Sequence, residues 1–229
     1  MIDCICTFCD ELAGNSNAYF YQLADYLGYP YDDRVLASTE NFVAIPGLGA
    51  LTEAYVLILP REHYLAIGGL PESLLNEYLE FKAQIWSMLD ERFGEVISFE
   101  HGPAGPSLRA GCCVEHAHLH LLAPCSLKIQ DLLSSYFNLV AANEWKTIQA
   151  FHRGGLPYVY CQDNQQNGFA AVTPRQMPSQ FLRRLIANTL GIAEWDWHHF
   201  PKLEHVADLY KSFLEPPVSQ AGLNTRSKA

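Results

Sequence analysis

The chain is poor in charge and poorer still in positive charge. Charged residues make up 17% of 229, against about 25% in an ordinary soluble domain. Only 15 Lys and Arg face 25 Asp and Glu, a formal net charge of -10, and no basic run occurs. Proteins that hold duplex nucleic acid displace its counterions with a basic stripe, so a duplex is not an expected partner. A small anionic substrate stays open, because a local site can be positive within an acidic protein. No apolar run is long enough to cross a bilayer, and Met1-Ile2-Asp3-Cys4 lacks the basic start and apolar stretch of a secretory signal. The expectation is a cytoplasmic protein without a membrane partner. Internal repeats are absent. The seven cysteines are an odd number, and Cys112-Cys113 are adjacent, an awkward arrangement for a secreted disulfide framework. They read as thiols in a reducing compartment.

Apolar material is plentiful, at 49%, enough for a core and too much for a disordered chain. The length suits one domain, or one domain with a substantial appendage. Residues 1–34 read as irregular to helical. Asn41 to Ile45 has strand character and stops at Pro46-Gly47-Leu48-Gly49; Ala54 to Leu59 is a continuous apolar run closed by Pro60. The two predict a hairpin of buried strands. Pro71 to Arg92 reads as a long helix with Leu74, Leu75, Tyr78, Leu79, Phe81, Ile85, Met88 and Leu89 on one face and Gly94 beyond its end. A third strand is expected at Val96 to Phe99, then a glycine- and proline-rich loop over 101–111, then a strand from Val114 to Leu122 ended by Pro124. Further on, a helix is expected within 126–150, strands at Tyr158–Cys161 and Phe169–Val172, and helices at Pro178–Leu190 and Lys202–Leu214, followed by a polar tail.

The chemistry concentrates in His116-Ala117-His118-Leu119-His120-Leu121-Leu122. Strand periodicity puts the three histidines on one face and Ala117, Leu119 and Leu121 on the other. Histidine is the side chain whose ordinary pKa lies nearest neutrality, so it can act as nucleophile, acid or ligand. Three readings follow: a plain solvated strand face, a metal held by all three histidines, and a covalent nucleophile at the middle position.

That segment resembles the histidine triad (HIT) family. Cys6-Thr7-Phe8-Cys9, the hairpin strands, and Pro60-Arg61 with His63 after them resemble the family in the same order, over roughly residues 4–124. The resemblance implies an α+β fold: a HIT-like antiparallel sheet with a long helix on one face, plus a C-terminal α/β appendage. It divides the chain into a catalytic domain over 1–125, an extension over 126–215 packed on it, and a disordered tail over 216–229. It implies that His118 attacks a nucleotide α-phosphorus, that His120 contacts the phosphate or the leaving oxygen, and that the backbone at His116 holds the other ring nitrogen of His118. It further implies a structural zinc ion on Cys6, Cys9, His63 and His116, with Cys4 and His101 as alternative ligands, no organic cofactor, and no metal in the chemical step. The substrate is then a small nucleotide, hydrolysed or transferred. Small relatives are commonly homodimers.

Contact residues for the substrate are expected at Gly105 and Gly111, where a bare backbone can approach phosphate, and at Cys113 and Glu100. The last two are departures from the family: Gly111-Cys112-Cys113 stands where Gly-Gln-Ser/Thr is usual, and Glu100 where an Asn ends the third strand. No carboxylate follows the first hairpin strand to hold a ribose. A thiol donates hydrogen bonds poorly, so Cys112 and Cys113 also read as small core residues. These departures leave a non-catalytic nucleotide-binding scaffold as one alternative, and a zinc-dependent hydrolase as another. Pro178 to Arg184 and Trp195-Asp196-Trp197 are similar to segments of longer relatives, among them diadenosine tetraphosphate phosphorylase-like and splicing-associated Cwf-J-like proteins. Gln180, Arg183 and Arg184 read as the solvated face of a helix, with a contact to a distal phosphate as the other reading. Trp195 and Trp197 read as packing residues.

Overall fold

A computed structural model describes residues 6–105, 108–142 and 144–214. Cys4 and the tail over 216–229 lie outside the described residues. The elements run α1 (Thr7–Leu12), α2 (Tyr19–Leu27), β1 (Ala37–Ser38), β2 (Phe42–Pro46), β3 (Ala54–Pro60), α3 (Leu75–Phe93), β4 (Ile97–Gly102) and β5 (Leu119–Ala123). They continue with α4 (Ile129–Ser134), β6 (Val140–Ala141), α5 (Glu144–Arg153), β7 (Tyr158–Gln162), β8 (Gly168–Val172), α6 (Phe181–Thr189) and α7 (Leu203–Leu214). The eight strands form one sheet in the order β1-β2-β3-β5-β4-β7-β8-β6. Every paired strand is antiparallel. The fold is α+β, as the resemblance implies.

Strand alternation assigns each side chain to a face. Val56, Ile58, Leu119, Leu121, Tyr158 and Tyr160 lie on the face covered by α3 and α5. Tyr55, Leu57, Phe99, Leu122, Val159 and Cys161 lie on the opposite face, covered by α1, α4 and α6. The predicted long helix is α3. It begins at Leu75, after a 3-10 turn over Glu72–Leu74, and ends at Gly94. Its buried residues, Tyr78, Phe81, Lys82, Ile85, Trp86 and Leu89, follow the 3–4 spacing of one helical face.

Two expectations change. The strand expected from Val114 enters the ladder only at Leu119. Before it, the His116 N–H turns back to the Val114 carbonyl (2.9 Å) and the Ala117 N–H bonds the Tyr64 carbonyl (2.6 Å), so the chain is anchored to the segment after β3 and not to a strand. The helix expected within 126–150 is two helices, α4 and α5, separated by β6. In addition, β7 pairs with β4 over Ser98–Gly102 and Tyr158–Gln162. The sheet therefore continues through the C-terminal hairpin, across the 125/126 boundary. Among the described residues no helix is long and apolar enough to cross a membrane.

Candidate functional site

His116, His118 and His120 all lie on or just before β5 and are buried, at 0%, 6% and 5% exposure. His118 Nδ1 sits 2.6 Å from the His116 carbonyl oxygen. A carbonyl only accepts, so Nδ1 carries the proton and Nε2 keeps its lone pair. Burial holds His118 below the ordinary imidazole pKa, with the Arg183 charge acting in the same direction. The ring is therefore neutral at working pH. Phe8 of α1 meets it edge-on, with centroids 5.6 Å apart. His120 stacks on Phe99 at 4.3 Å and 14°, and its Nδ1 lies 2.5 Å from the Tyr55 hydroxyl. Burial pushes its pKa well below the ordinary value.

His118 and His120 open on a cavity. Its walls come from α1, β3, the 113–114 segment, α6 and the 195–197 loop, and include Phe8, Tyr55, Cys113, Gln180, Arg183 and Trp197. Two buried arginines line it, and they differ in kind. Arg34, 2% exposed, is neutralised by both oxygens of Glu11, at 2.7 and 2.8 Å. Arg183, also 2% exposed, donates to Tyr55 Oη (2.6 Å), the Gly49 carbonyl (2.7 Å) and the Trp195 carbonyl (2.8 Å). Among the described residues these acceptors are all uncharged. A buried charge without a counter-ion is costly unless a ligand balances it.

Beside the triad, Cys6, Cys9, His63 and His116 bring four ligand atoms within 4.8 Å of one another and could hold a metal ion. The sulfur-to-Nδ1 separations are 3.3 Å (Cys9–His63), 3.4 Å (Cys6–His116) and 3.5 Å (Cys9–His116). A tetrahedral zinc ion with ordinary Zn–S and Zn–N bonds has S···N edges of about 3.5 Å, so the donor set fits that ion. His116 Nε2 donates to the Pro60 carbonyl at 2.8 Å, which leaves Nδ1 with its lone pair toward the two cysteines. The six cysteines among the described residues carry no disulfide.

The remaining expected residues divide. Cys113 lines the cavity, and its sulfur accepts from Trp197 Nε1 at 3.3 Å. Gly105 is open, with nothing near an added Cβ, and does not line the cavity. Gly111 has φ +80°, and a Cβ there would meet the Pro178 carbonyl oxygen at 2.8 Å; it serves the packing of the α6 approach, not the cavity. Glu100 is corrected. Phe99 and His101 face the histidines, so Glu100 between them faces α3 and α5, where it accepts from the Ile67 N–H and the Tyr158 hydroxyl, each at 2.7 Å. It is a buried structural carboxylate. Arg183 is also corrected: it is buried in the cavity, whereas Arg184 is exposed, as the helix-face reading requires. Tyr55 and Glu11 were not expected, and His101, an alternative zinc ligand in the sequence, lines the cavity and is not part of the Cys6, Cys9, His63 and His116 cluster. His101 Nε2 accepts the Leu182 N–H at 3.1 Å, and burial lowers its pKa to about 3. Tyr55 lay inside an apolar run, and Glu11 meets Arg34 across 23 residues without any local signal.

No family model matches the chain. Solved structures to which it is similar include proteins named as HIT or histidine triad proteins. A HIT family protein from Bacillus anthracis is 20% identical with a TM-score of 0.40, covering 53% of this chain and 73% of that one. A hypothetical histidine triad nucleotide-binding protein from Sulfolobus tokodaii is 15% identical with a TM-score of 0.38, covering 66% and 91%. A HIT family hydrolase from Clostridium thermocellum is 20% identical with a TM-score of 0.36, covering 56% and 96%. Among curated proteins the chain is similar to CWF19-like protein 2 of Danio rerio, 24% identical over 200 residues. That match takes in 79% of this chain and 20% of the relative, so the chain spans about one fifth of that protein's length.

Proposed function

We propose that the chain is a nucleotidyl hydrolase or transferase of the histidine triad kind, acting on a phosphoanhydride, phosphoramidate or sugar-nucleotide through a covalent nucleotidyl-His118 intermediate. The observation that carries this reading is the His118 geometry: Nδ1 lies 2.6 Å from the His116 carbonyl oxygen, an acceptor, which leaves the Nε2 lone pair free beside the cavity. In the first step a bond forms between Nε2 and phosphorus, and the bond from phosphorus to the leaving group breaks. His120 donates a hydrogen bond to the departing atom, and the departing group takes its proton from solvent. In the second step water or another acceptor displaces the histidine, so one hard displacement becomes two easier ones. The uncompensated Arg183 charge supports an anionic substrate. Residues 1–125 carry the nucleophile, and residues 126–215 supply part of the cavity wall.

Cys6, Cys9, His63 and His116 would hold zinc as a closed four-ligand site, which clamps the segment preceding His118 and supplies no acid or nucleophile. The decisive experiment is incubation with a panel of nucleotides and dinucleotides and mass-spectrometric detection of a nucleotidyl adduct on the His118 peptide. His118→Ala and His118→Gly should fold, lose the adduct and lose turnover. A His118→Ala protein with normal kinetics overturns the mechanism; binding without any adduct or turnover replaces it with the scaffold reading.

A further inference from the structure

Arg183 reaches the cavity from α6, outside the segment that resembles the HIT family. One of its terminal nitrogens, Nη2, donates to the Gly49 and Trp195 carbonyls and so ties α6 to two loops. The other, Nη1, donates to Tyr55 Oη at 2.6 Å. Tyr55 is 1% exposed, and its oxygen is 2.5 Å from His120 Nδ1. A guanidinium has only protons to offer, so the phenolic proton cannot go to Arg183. If His120 carried its proton on Nδ1, that N–H and Arg183 Nη1 would both point at the phenolic oxygen. Among the described residues the phenol's own proton would then have no recorded acceptor, the expensive way to leave a buried polar group. The arrangement that satisfies all three groups runs one way: Arg183 donates to Tyr55, Tyr55 donates to His120 Nδ1, and the proton of the neutral imidazole sits on Nε2.

We propose that Arg183 is a positioning residue that, through Tyr55, fixes the proton of His120 on Nε2. With the stacked Phe99 holding the ring plane, His120 is then a hydrogen-bond donor to a departing oxygen and not a second lone pair competing with His118. This role rests on the function proposed above, but the proton placement itself is measurable without substrate. A mere staple does not predict it, because Tyr55→Phe leaves both Nη2 contacts intact.

The test uses the full chain with 15N-labelled histidine and long-range 15N–1H correlation spectra, comparing the parent protein with Tyr55→Phe and Arg183→Met. The parent should show His120 as the single Nε2–H tautomer. In both variants the Nδ1–H form should gain about three- to tenfold relative to Nε2–H, the range that one net hydrogen bond controls. Arg183→Lys, with one ammonium in place of a two-pronged fork, should restore the parent tautomer only in part. If Arg183→Met does not fold, Tyr55→Phe decides. A parent protein with the proton on Nδ1, or an unchanged Nε2–H tautomer in Tyr55→Phe, overturns the proposal. If His120 responds as expected while no nucleotide ever labels His118, the proposed function fails and the positioning role stands. If His118 is labelled while His120 does not respond, only the positioning role fails.

Discussion

Gly49→Ala should be among the most damaging single-methyl additions in the molecule. Gly49 has φ +66°, a conformation that costs an L-residue about 1–2 kcal/mol. Its backbone also joins three segments: its N–H bonds the Pro201 carbonyl at 2.7 Å, and its own carbonyl accepts from Arg183 at 2.7 Å. A Cβ there would lie 2.6 Å from Trp197 Cβ, 2.8 Å from Trp197 Cα and 2.9 Å from Arg183 Nη2. Two of these neighbours are at or next to main chain, so the 195–197 loop must move as a unit, and overpacking of that kind costs about 1–3 kcal/mol. The sum is roughly 2–5 kcal/mol, out of a total stability of about 5–15 kcal/mol. For a chain of this size each kcal/mol lowers the melting temperature by about 2–4 °C. Gly14→Ala is the control: φ is +70° there, but nothing lies within 4 Å of the added carbon. It isolates the backbone cost from the contact cost. The assay is thermal unfolding followed by near-UV circular dichroism, which reads the aromatic packing around Trp197. If Gly49→Ala melts within about 2 °C of Gly14→Ala, the contact between the 49 turn and the 195–197 loop is not the close one described.

Two further outcomes follow from the site. In a Cys6→Ser, Cys9→Ser double variant, metal content measured by plasma mass spectrometry should drop from about one zinc per chain to near zero, with a lower melting temperature. Full metal retention would move the ion to the triad histidines and favour the hydrolase alternative. Glu100→Gln should cost about 1–3 kcal/mol, because the Ile67 N–H and the Tyr158 hydroxyl reach different carboxylate oxygens and an amide puts an NH2 donor in place of one of them. Nucleotide labelling of His118 in the folded fraction should be unchanged; loss of labelling at an unchanged melting temperature would return Glu100 to the substrate.

Patterns local to one element were legible in the sequence. The run from Ala54 to Leu59 is β3, Ala117, Leu119 and Leu121 pack together away from the cavity that His118 and His120 line, and the helix after Pro71 is α3. What failed depended on distance. Where β5 starts is set by the Ala117 N–H bonding the Tyr64 carbonyl, 53 residues back by subtraction, and nothing in 114–118 encodes that. The pairing of β7 with β4 is equally nonlocal. Glu100 was partly within reach: had the third strand been extended past Phe99, alternation would have put His101 with the triad and Glu100 on the other face. Arg183 was hidden by helix geometry. It neighbours the buried Leu182 and Ile186 at the entry of α6, and a wall of the cavity covers the side that would otherwise meet water.

The two cysteines before the triad connect that failure to the chemistry. Cys112 is 3% exposed and spends its thiol proton on the Val114 carbonyl at 2.8 Å, while Cys113 accepts from Trp197. Burial raises the pKa of both, so neither is a thiolate, and neither is placed as the strong donor that a hydroxyl or amide would be at that position. The proposed function calls for preorganised donors or a fixed positive charge to balance charge developing on a phosphate. Here the fixed charge enters from α6, on the far side of the chain from the motif that announces the chemistry. The triad and the residue that sets the cavity's electrostatics therefore lie 63 residues apart (183 minus 120), and a triad segment excised from α6 would keep the proposed nucleophile while losing the cavity's unpaired cation.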